Sequence, residues 1–460
     1  MTSGLRSFVL SILCYVLANS LVVAQQPESS LQGWDAFPAL LQRISPPIFP
    51  QKDFDITRFG AVGDGKTDCS KAFKKAINKC STEGGGRVVV PKGIYLTGAI
   101  HLKSNVNLYV SKDAIIKFST DPKQYLPIVY ARWEGVECMN YSSLIYAFEQ
   151  ENIAVTGEGV LDGQGSYENW WSWKGNKDPQ KPNQKEARKK IVEMGEMNVP
   201  VAERIFGDGF YLRPNFFEPY KCKNVLVQGV KFKDSPMWFL NPVLCINVLI
   251  MGATTDGLGP NNDGCDPESC TDVLIKNCSF NNGDDCIAIK SGRNNDGRRV
   301  NVPCSNIIVQ GCRMKKGHGG VSIGSELSGG IRNVYAENDT MDSPNLDRML
   351  RIKTNSIRGG VVENVFFRNI KVGQVADAVM QIDFYYEEGD AGSFTPLVQN
   401  VELKNIESDR SKFAVWIRAY DRSPATNVHL ENCTFTNVAQ PNVLENVKDL
   451  SMINVKVNSK

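Results

Sequence analysis

The chain has 460 residues, a formal net charge of +2 and 42% hydrophobic residues. This charge balance excludes a globally basic scaffold of the kind that binds nucleic acid. Beyond residue 24 no apolar segment approaches the length that a bilayer helix needs. We therefore expect a monomer with no nucleic-acid and no membrane partner.

The first 24 residues resemble a secretory signal peptide. Arg6 precedes an apolar run over residues 8–23, which ends in the cleavage pattern Val-Val-Ala. The mature chain is then expected to begin at Gln25 and to be secreted, to the extracellular space or to a periplasm. The competing interpretation, a membrane anchor, requires a longer run.

Twelve of the 13 cysteines follow the predicted signal peptide, in a compartment that permits disulfide bonds. Cys265 with Cys270 and Cys286 with Cys304 are plausible pairs. Free buried thiols are an equally good interpretation for several of the others.

Residues 25–52 are rich in proline, and we expect an irregular leader whose apolar patch at 37–41 packs along the body. A strand and a glycine-rich turn follow at 54–65. Apolar residues then recur at helical spacing from Ala72 to Cys80, with Asp68 or Ser70 as a candidate cap. This pattern predicts a short N-terminal helix that covers the open end of a sheet stack.

From residue 224 onward a polar residue repeatedly precedes an apolar, β-prone run. The steps between successive runs are 23, 25, 34, 27, 31, 36, 27 and 22 residues, as expected for a solenoid with variable loops. The anchors, meaning the first apolar residue of each run, are Val225, Val248, Val273, Ile307, Val334, Val365, Val401, Val428 and Leu450.

The fifth residue after each anchor tests this repeat. Eight of the nine are small or apolar, as expected for a ladder stacked inside parallel strands. The exception is Asp339, where we expect a local bulge. Cys278 and Cys312 belong to this ladder, so core thiols are a better interpretation than metal ligands.

One architecture explains this pattern without a second domain. The repeat is too short for the four-stranded blade of a β-propeller, and the β-branched, glycine-rich composition excludes a helical solenoid. We predict an all-β chain whose residues 53–460 form a single right-handed parallel β-helix of about nine or more coils.

Four polar clusters interrupt the apolar sequence between residues 261 and 353. They are Asn261-Asn262-Asp263, Gly283-Asp284-Asp285, Gly317-His318-Gly319 and Arg351-Ile352-Lys353. Each alone is more often a solvated turn or a tight bend. Residues 290–358 carry 12 Lys and Arg against 6 Asp and Glu. This local excess indicates a polyanionic ligand, although such a run of charge is more often just a solvated face.

Equivalent positions on successive coils lie above one another, so the clusters can line one groove. Hydrolysis of a glycosidic bond needs one protonated carboxyl group and one ionised carboxylate, and crowding three acids raises the pKa of at least one. Arg351 and Lys353 lie two apart on one strand and point to the same face, where they can grip a sugar carboxylate. His318 can orient a carboxylate.

These clusters resemble the motifs of glycoside hydrolase family 28, the polygalacturonases, and most of all its exo-acting and bacterial members. The turn at 59–65, residues 159–165 (GVLDGQG) and residues 235–238 (SPMW) agree with it, so that the resemblance extends from residue 53 to the end. It implies a pectin-lyase-like solenoid that hydrolyses α-1,4 bonds between galacturonic acids with inversion, without metal or cofactor.

The resemblance also implies residue roles. Asp284 is the general acid, Asp263 and Asp285 activate water, and His318 supports the site. The residues implied to bind substrate are Arg351, Lys353, Asn261 and Tyr386, with the neighbouring Tyr385 as the alternative to Tyr386. Trp170, Trp171 and Trp173 form either a sugar platform or loop packing.

The pectic substrate and the mode of attack stay open at this point. The basic loop at 291–303 can close one end of the groove, which favours exo over endo action on pectin or polygalacturonate oligosaccharides. A rhamnogalacturonan or xylogalacturonan hydrolase would share the fold, as would a pectate lyase. A non-catalytic carbohydrate-binding β-helix is the alternative of a different class.

Overall fold

The computed structural model describes residues 33–175, 178 and 181–459. The predicted signal peptide and the start of the leader lie outside these residues. Within the described part of the chain, no helix is both long and apolar enough to cross a membrane.

The chain winds into a parallel β-helix, in which each strand pairs with the strand one coil later. We call its three faces the anchor sheet, the second sheet and the cleft sheet. The anchor sheet comprises Asp53–Asp55, Gly86–Val90, Val106–Val110, Glu151–Gly157, Lys223–Gln228, Ile246–Met251, Thr271–Lys276, Cys304–Gln310, Ile331–Glu337, Val361–Gln374, Leu397–Arg410, Ala425–Glu431 and Val447–Ile453.

The other two faces follow along each coil. The second sheet comprises Asp64–Asp68, Gly93–Thr97, Ala114–Phe118, Val160–Asp162, Lys231–Lys233, Thr254–Gly257, Ser279–Asn282, Arg313–Lys316, Thr340–Met341, the distal parts of the two longest anchor strands, Thr434–Val438 and Lys456–Ser459. The cleft sheet comprises Ile100–His101, Ile145–Phe148, Phe217–Tyr220, Ile287–Ile289, Val321–Gly324, Arg348–Lys353, Ala378–Asp383, Phe413–Arg418 and Val443–Glu445.

The nine predicted anchors pair in one continuous register, from Val225 with Val248 to Val428 with Leu450. The polar residue before each anchor has a left-handed backbone, which asparagine tolerates well. Most of these asparagines donate an amide hydrogen bond to the residue one coil earlier, as Asn333 does to Asn306 at 3.0 Å. The repeat therefore encodes both the buried face and the corner of each coil.

Asp339 lies in the buried ladder, and the bulge expected there is absent: the strands on either side pair in regular register. Its carboxyl group accepts a hydrogen bond from the backbone N–H of Cys312 at 2.7 Å. Burial raises the pKa of Asp339 to about 8, so it is held as a neutral acid.

All twelve described cysteines are buried and free, so the predicted pairs Cys265–Cys270 and Cys286–Cys304 are wrong. Cys245 and Cys270 occupy equivalent positions on neighbouring coils, because the residues that follow them, Ile246 and Thr271, pair in register. The thiol of Cys245 donates to the carbonyl of Pro219 at 3.1 Å, and that of Cys270 donates to the carbonyl of Pro242 at 3.1 Å. Stacking places these thiols in parallel rows.

Four α-helices lie outside the coils: α1 (Phe37–Arg43), α2 (Ser70–Thr82), α3 (Lys185–Glu196) and α4 (Asn294–Val300). The predicted capping helix is α2, whose apolar face is buried as expected. Cys69 takes its N-cap position, and Asp68 accepts the N–H of Ser70 at 2.9 Å. Short 3₁₀ turns occur at Gly33–Asp35, Ile56–Phe59, Pro122–Tyr125, Trp171–Lys174 and Val201–Glu203.

The leader expected to be irregular contains α1. Its apolar side packs on the outer face of the anchor sheet, in a cluster of Phe37, Leu40, Ile44, Leu226, Leu249, Leu274, Ile308 and Tyr335. The predicted packing of this patch along the body is therefore confirmed. The helix forms because these anchor strands present leucine outward, which gives α1 an apolar surface to cover.

Two long insertions leave the solenoid between the second sheet and the cleft sheet. Residues 119–144 contain an antiparallel hairpin of strands Val129–Trp133 and Val136–Asn140. Residues 163–216 contain α3, and the predicted basic loop at 291–303 contains α4. Repeat periodicity does not predict any of these three features, because none of them belongs to a coil.

Candidate active site

The four polar clusters meet on the outer face of the cleft sheet. In the strand Arg348–Lys353, Leu350 and Ile352 belong to the hydrophobic core. Because side chains alternate along a strand, Arg351 and Lys353 point outward together. Asp263 precedes the coil position of Cys265, and Asp284 and Asp285 precede the next coil position at Ile287, which pairs with Cys265.

Carboxylate oxygens from Asp263, Asp284 and Asp285 all lie within 4.8 Å of one another. The side chain of Asp284 is 17% exposed, whereas those of Asp263 and Asp285 are 4% and 0% exposed. The three acids therefore form one cluster in which only Asp284 offers substantial surface to a ligand.

Asp285 is enclosed by donors. Its oxygens accept hydrogen bonds from the Lys353 Nζ at 2.7 Å and the Ser322 Oγ at 2.7 Å, and Arg351 lies 3.5 Å away. Burial alone would raise the pKa of Asp285, but the charges of Lys353 and Arg351 outweigh burial and hold it well below its usual range. Asp285 is thus an ionised carboxylate.

Asp284 pairs with His318, whose Nδ1 lies 2.8 Å from the Asp284 carboxylate. Burial is the largest influence and raises the pKa of Asp284, but this hydrogen bond, together with the charges of Lys353 and His318, lowers the pKa overall. The same contact raises the pKa of His318, which is half exposed. In the free protein the pair therefore favours an ionised Asp284 beside a protonated His318.

Asp263 behaves in the opposite way. Burial and the neighbouring carboxylates of Asp266 and Asp284 raise its pKa well above the usual range. Lys290 lies 3.9 Å from Asp263 and 3.6 Å from Asp266. Its positive charge lowers the pKa of Asp263, but by less than burial raises it. The expectation that crowding raises the pKa of at least one acid therefore holds for Asp263, whereas the pKa of Asp284 is lowered.

Lys290 is a central residue that the sequence analysis did not single out. It is 3% exposed, lies 3.3 Å from Glu326 and rests 4.7 Å from the ring centroid of Trp238. Burial works against its charge, but Glu326, Asp266 and Asp263 raise its pKa well above the usual range. The sequence signal that pointed toward Lys290 was the excess of basic residues over residues 290–358.

The acids open into a small cavity of about 80 Å³. Its lining includes Glu134 from the hairpin, Arg188 from α3, Trp238, Asn261, Tyr386 and Glu387. Glu134 and Arg188 lie in the two insertions, where no sequence pattern pointed to them.

The residues predicted to bind substrate occupy distinct positions. Asn261 lines the cavity while its side-chain oxygen accepts a hydrogen bond from Arg213 at 2.8 Å. Tyr386 also lines it, with Arg351 and Lys353 each 5.4 Å from its ring centroid. Tyr385 instead packs edge-on against Tyr420, away from the acids.

The tryptophans at 170–173 do not form a platform together. Trp170 and Trp173 are buried and pack against each other. Trp171 is half-buried and donates a hydrogen bond to the carbonyl of Ser235 at 2.8 Å. Loop packing is therefore the correct interpretation for Trp170 and Trp173.

The three acids are also the one group of described residues whose oxygens lie close enough to hold a metal ion. However, Lys353 and Arg351 already neutralise Asp285, and Lys290 lies beside Asp263. A divalent cation would have to displace these ammonium and guanidinium groups, so the charge balance suits an anionic ligand better.

Comparisons with known proteins agree with this geometry. The sequence profile of Glycosyl hydrolases family 28 matches residues 209–456. This range includes Asp263, Asp284, Asp285, Lys290, His318, Arg351 and Lys353, but not Glu134 or Arg188. A second profile, Rhamnogalacturonase A/epimerase, pectate lyase-like, matches residues 54–121, which contain none of them.

Individual relatives extend the match over most of the chain. A hyperthermoactive exopolygalacturonase from Thermotoga maritima is 45% identical, with a TM-score of 0.87 over 91% of this chain and 95% of that one. A probable polygalacturonase from Vitis vinifera is 29% identical over 82% of this chain and 72% of that protein. An exo-poly-alpha-D-galacturonosidase from Dickeya chrysanthemi is 27% identical over 75% of this chain and 59% of that protein.

The parallel β-helix, the cluster of acids and the extent of these matches lead to one conclusion. The chain belongs to glycosyl hydrolases family 28.

Proposed function

We propose that the protein is a secreted exopolygalacturonase, which hydrolyses the terminal α-1,4 bond of polygalacturonate with inversion. The observation that carries the proposal is a cleft with three clustered acids, bordered by cations and covered on one side only. Similarity to the exopolygalacturonase from Thermotoga maritima supports it.

The cations define the substrate class. Arg351 is 12% exposed, its Nε has no hydrogen-bond partner, and it lies beside Tyr386. Arg188 lines the cavity, is 40% exposed and pairs with Glu134 at 2.7 Å. A guanidinium has five N–H donors, so either arginine can give a bidentate bond to the carboxylate of a galacturonic acid beside its acidic partner, a contact that a neutral sugar does not offer.

The hairpin explains why cleavage should occur at a chain end. Its Arg132 is buried against the outer face of the cleft sheet, where its backbone N–H donates to Glu218 at 3.1 Å and its guanidinium lies 3.5 Å from Glu268. Both acids are almost fully buried. The hairpin therefore covers the coil of Glu218 and that of Glu268, which is also the coil of Asp263.

The tip of the hairpin completes this cover. Glu134 pairs with Arg188 at 2.7 Å and with Arg293 at 3.5 Å, and the carbonyl of Gly135 accepts the N–H of Arg293 at 2.9 Å. Arg293 closely follows the cleft strand Ile287–Ile289, so the tip of the hairpin is fixed to the coil that carries Asp284 and Asp285. A polymer can leave the site only toward the later coils.

Asp284 is the best-placed general acid, because it alone among the three offers exposed carboxylate. A galacturonate that enters displaces water from Asp284 and brings a second negative charge, and both changes raise the pKa of Asp284. The proton of Asp263 then passes to Asp284, which donates it to the departing glycosidic oxygen. Asp263, left ionised beside Lys290, accepts a proton from the attacking water.

Inversion follows from the inaccessibility of the other two acids. The spacing rule associates inverting enzymes with carboxyl groups about 6.5 to 9.5 Å apart, and the oxygens here are closer, within 4.8 Å. Spacing by itself would therefore favour retention. Retention requires an exposed carboxylate to attack the sugar, however, and Asp263 and Asp285 are 4% and 0% exposed, so water is the better nucleophile.

The decisive experiment follows product sizes during digestion of polygalacturonate. Monomer from the outset supports the proposal, mixed oligomers indicate endo action, and an unsaturated product indicates a lyase. Proton NMR of the first product must show the β anomer if the reaction inverts. Asp284→Asn should lower kcat by about 10²- to 10⁴-fold, and Asp409→Asn, at an exposed site, should not. If both variants bound polygalacturonate without turnover, the proposal of an enzymatic function would be refuted.

Export and the monomeric state are part of the same proposal. The support for export is the sequence of residues 1–24, which lies outside the described residues. Recovery of a chain from the culture medium that begins at Gln25 would establish it. Sedimentation at a mass near that of one chain would establish the monomer.

A further inference from the structure

We propose that Trp416 and Arg418 form a second sugar-binding subsite, two coils beyond Arg351 along the cleft. The inference rests on the proposed exo action and names the residues that bind the departing part of the polymer. Nothing in the catalytic cycle described above uses either residue.

The register of the cleft sheet places Trp416 in line with the catalytic cluster. Ser322, which donates to Asp285, pairs with Arg351; Arg351 pairs with Gln381, and Gln381 pairs with Trp416. Neighbouring strands lie about 4.8 Å apart. Trp416 therefore lies about 10 Å from Arg351 along the cleft, a distance that two linked pyranose rings span.

The indole points into the cleft and not into the core. Val415 and Ile417, on either side of Trp416, both belong to the hydrophobic core. Alternation along the strand then directs Trp416 to the outer face, as it does Arg351. Trp416 is half-buried, so part of the indole is open to a ligand, and the apolar face of a sugar ring is a suitable partner for it.

Arg418 supplies the charge that this subsite needs. It follows Lys353 and Asp383 in the adjacent row of outward residues. Its guanidinium lies 5.2 Å from the ring centroid of Trp416 and 4.8 Å from that of Tyr385. Asp383 lies 3.3 Å from the Arg418 guanidinium, yet the Nε of Arg418 has no hydrogen-bond partner.

The two sides of the cleft differ in a way that selects this direction. On the N-terminal side, up to the coil of Asp263, the same face of the sheet is buried beneath the hairpin, with Glu218 2% and Glu268 0% exposed. After that coil, Arg418 is 36% exposed. A galacturonan whose terminal sugar occupies the cavity can extend only over Gln381 and Trp416, so the aromatic ring and the cation meet the third sugar and its carboxylate.

The test compares substrates of different length on the purified full chain. Trp416→Ala should lower the ratio of kcat/KM for trigalacturonate to that for digalacturonate by about tenfold, the effect of one lost aromatic contact. Trp416→Tyr should restore most of the ratio. Tyr109→Ala is the matched control, because Tyr109 is a half-buried aromatic residue with Arg87 at 4.9 Å, on a different sheet.

An unchanged ratio in Trp416→Ala, or an equal fall in Tyr109→Ala, would overturn the proposal. Arg418→Gln gives a second measurement. It should lower kcat/KM for trigalacturonate more than kcat/KM for the methyl ester of trigalacturonate. Equal losses of kcat/KM for the two substrates would rule out a contact between Arg418 and a carboxylate. Failure of the proposed function would instead be visible in the unmodified protein, which would release no galacturonate from polygalacturonate.

Discussion

Lys353→Met tests whether the buried cation next to Asp285 stabilises the fold as the geometry requires. The Lys353 Nζ lies 2.7 Å from Asp285, and the two side chains are 8% and 0% exposed. Removing one partner of a buried pair typically costs about 3 to 5 kcal/mol. Because Asp285 keeps Ser322 and Arg351 as partners, we expect a smaller loss, about 2 to 4 kcal/mol.

Lys404→Met is the matched control. Lys404 pairs with Glu431 at a similar distance, 2.9 Å, but the side chains are 37% and 28% exposed. An exposed pair contributes less than about 1 kcal/mol. With an unfolding entropy of roughly 2.1 cal/mol/K per residue, the 460 residues unfold with about 1 kcal/mol/K. The midpoint should fall by about 2 to 4 °C in Lys353→Met and by less than about 1 °C in Lys404→Met.

The pH dependence makes the test sharper. The folded pKa of Asp285 is lowered, so its contribution is complete above the unfolded pKa of about 3.9 and is lost as pH falls toward the folded value. The raised pKa of Lys353 leaves its own contribution constant over this range. Calorimetry should therefore give a larger difference in unfolding midpoint between the unmodified protein and Lys353→Met at pH 7 than at pH 3. Equal losses in the two variants, or a difference that grows with acidity, would refute the reasoning.

Three further predictions concern single side chains. His318→Gln removes a hydrogen bond that lowers the pKa of Asp284. The alkaline limb of the pH–rate profile should therefore shift to higher pH, while kcat falls. An unchanged position of this limb would argue against the pairing of His318 with Asp284. Asp339 has a raised folded pKa, about 8, so wild-type stability should decline from about pH 4 to 8, and Asp339→Asn should lose this decline in urea titrations. Arg188→Ala should raise KM for digalacturonate about tenfold, whereas Lys189→Ala, whose partner lies on the exposed face of α3, should leave KM unchanged.

The sequence by itself determined the coils. An apolar anchor after a left-handed asparagine is local information, and repetition forces equivalent residues into one register. For that reason we could predict the nine anchors from the sequence. The capping helix and the outward direction of Arg351 and Lys353 also follow from local spacing, helical in the first case and alternating in the second. The convergence of the four polar clusters followed from the same stacking.

Only the tertiary structure decided what lies across the coils. Glu134 and Arg293 are separated by 159 residues, and no periodicity records that a hairpin from one insertion pairs with a much later loop. The opposite pKa shifts of Asp263 and Asp284 have a similar origin, because these two residues differ in burial and in partners and not in residue type. Insertions and pKa values depend on contacts between distant segments, whereas the coil depends on a pattern that each segment carries within itself.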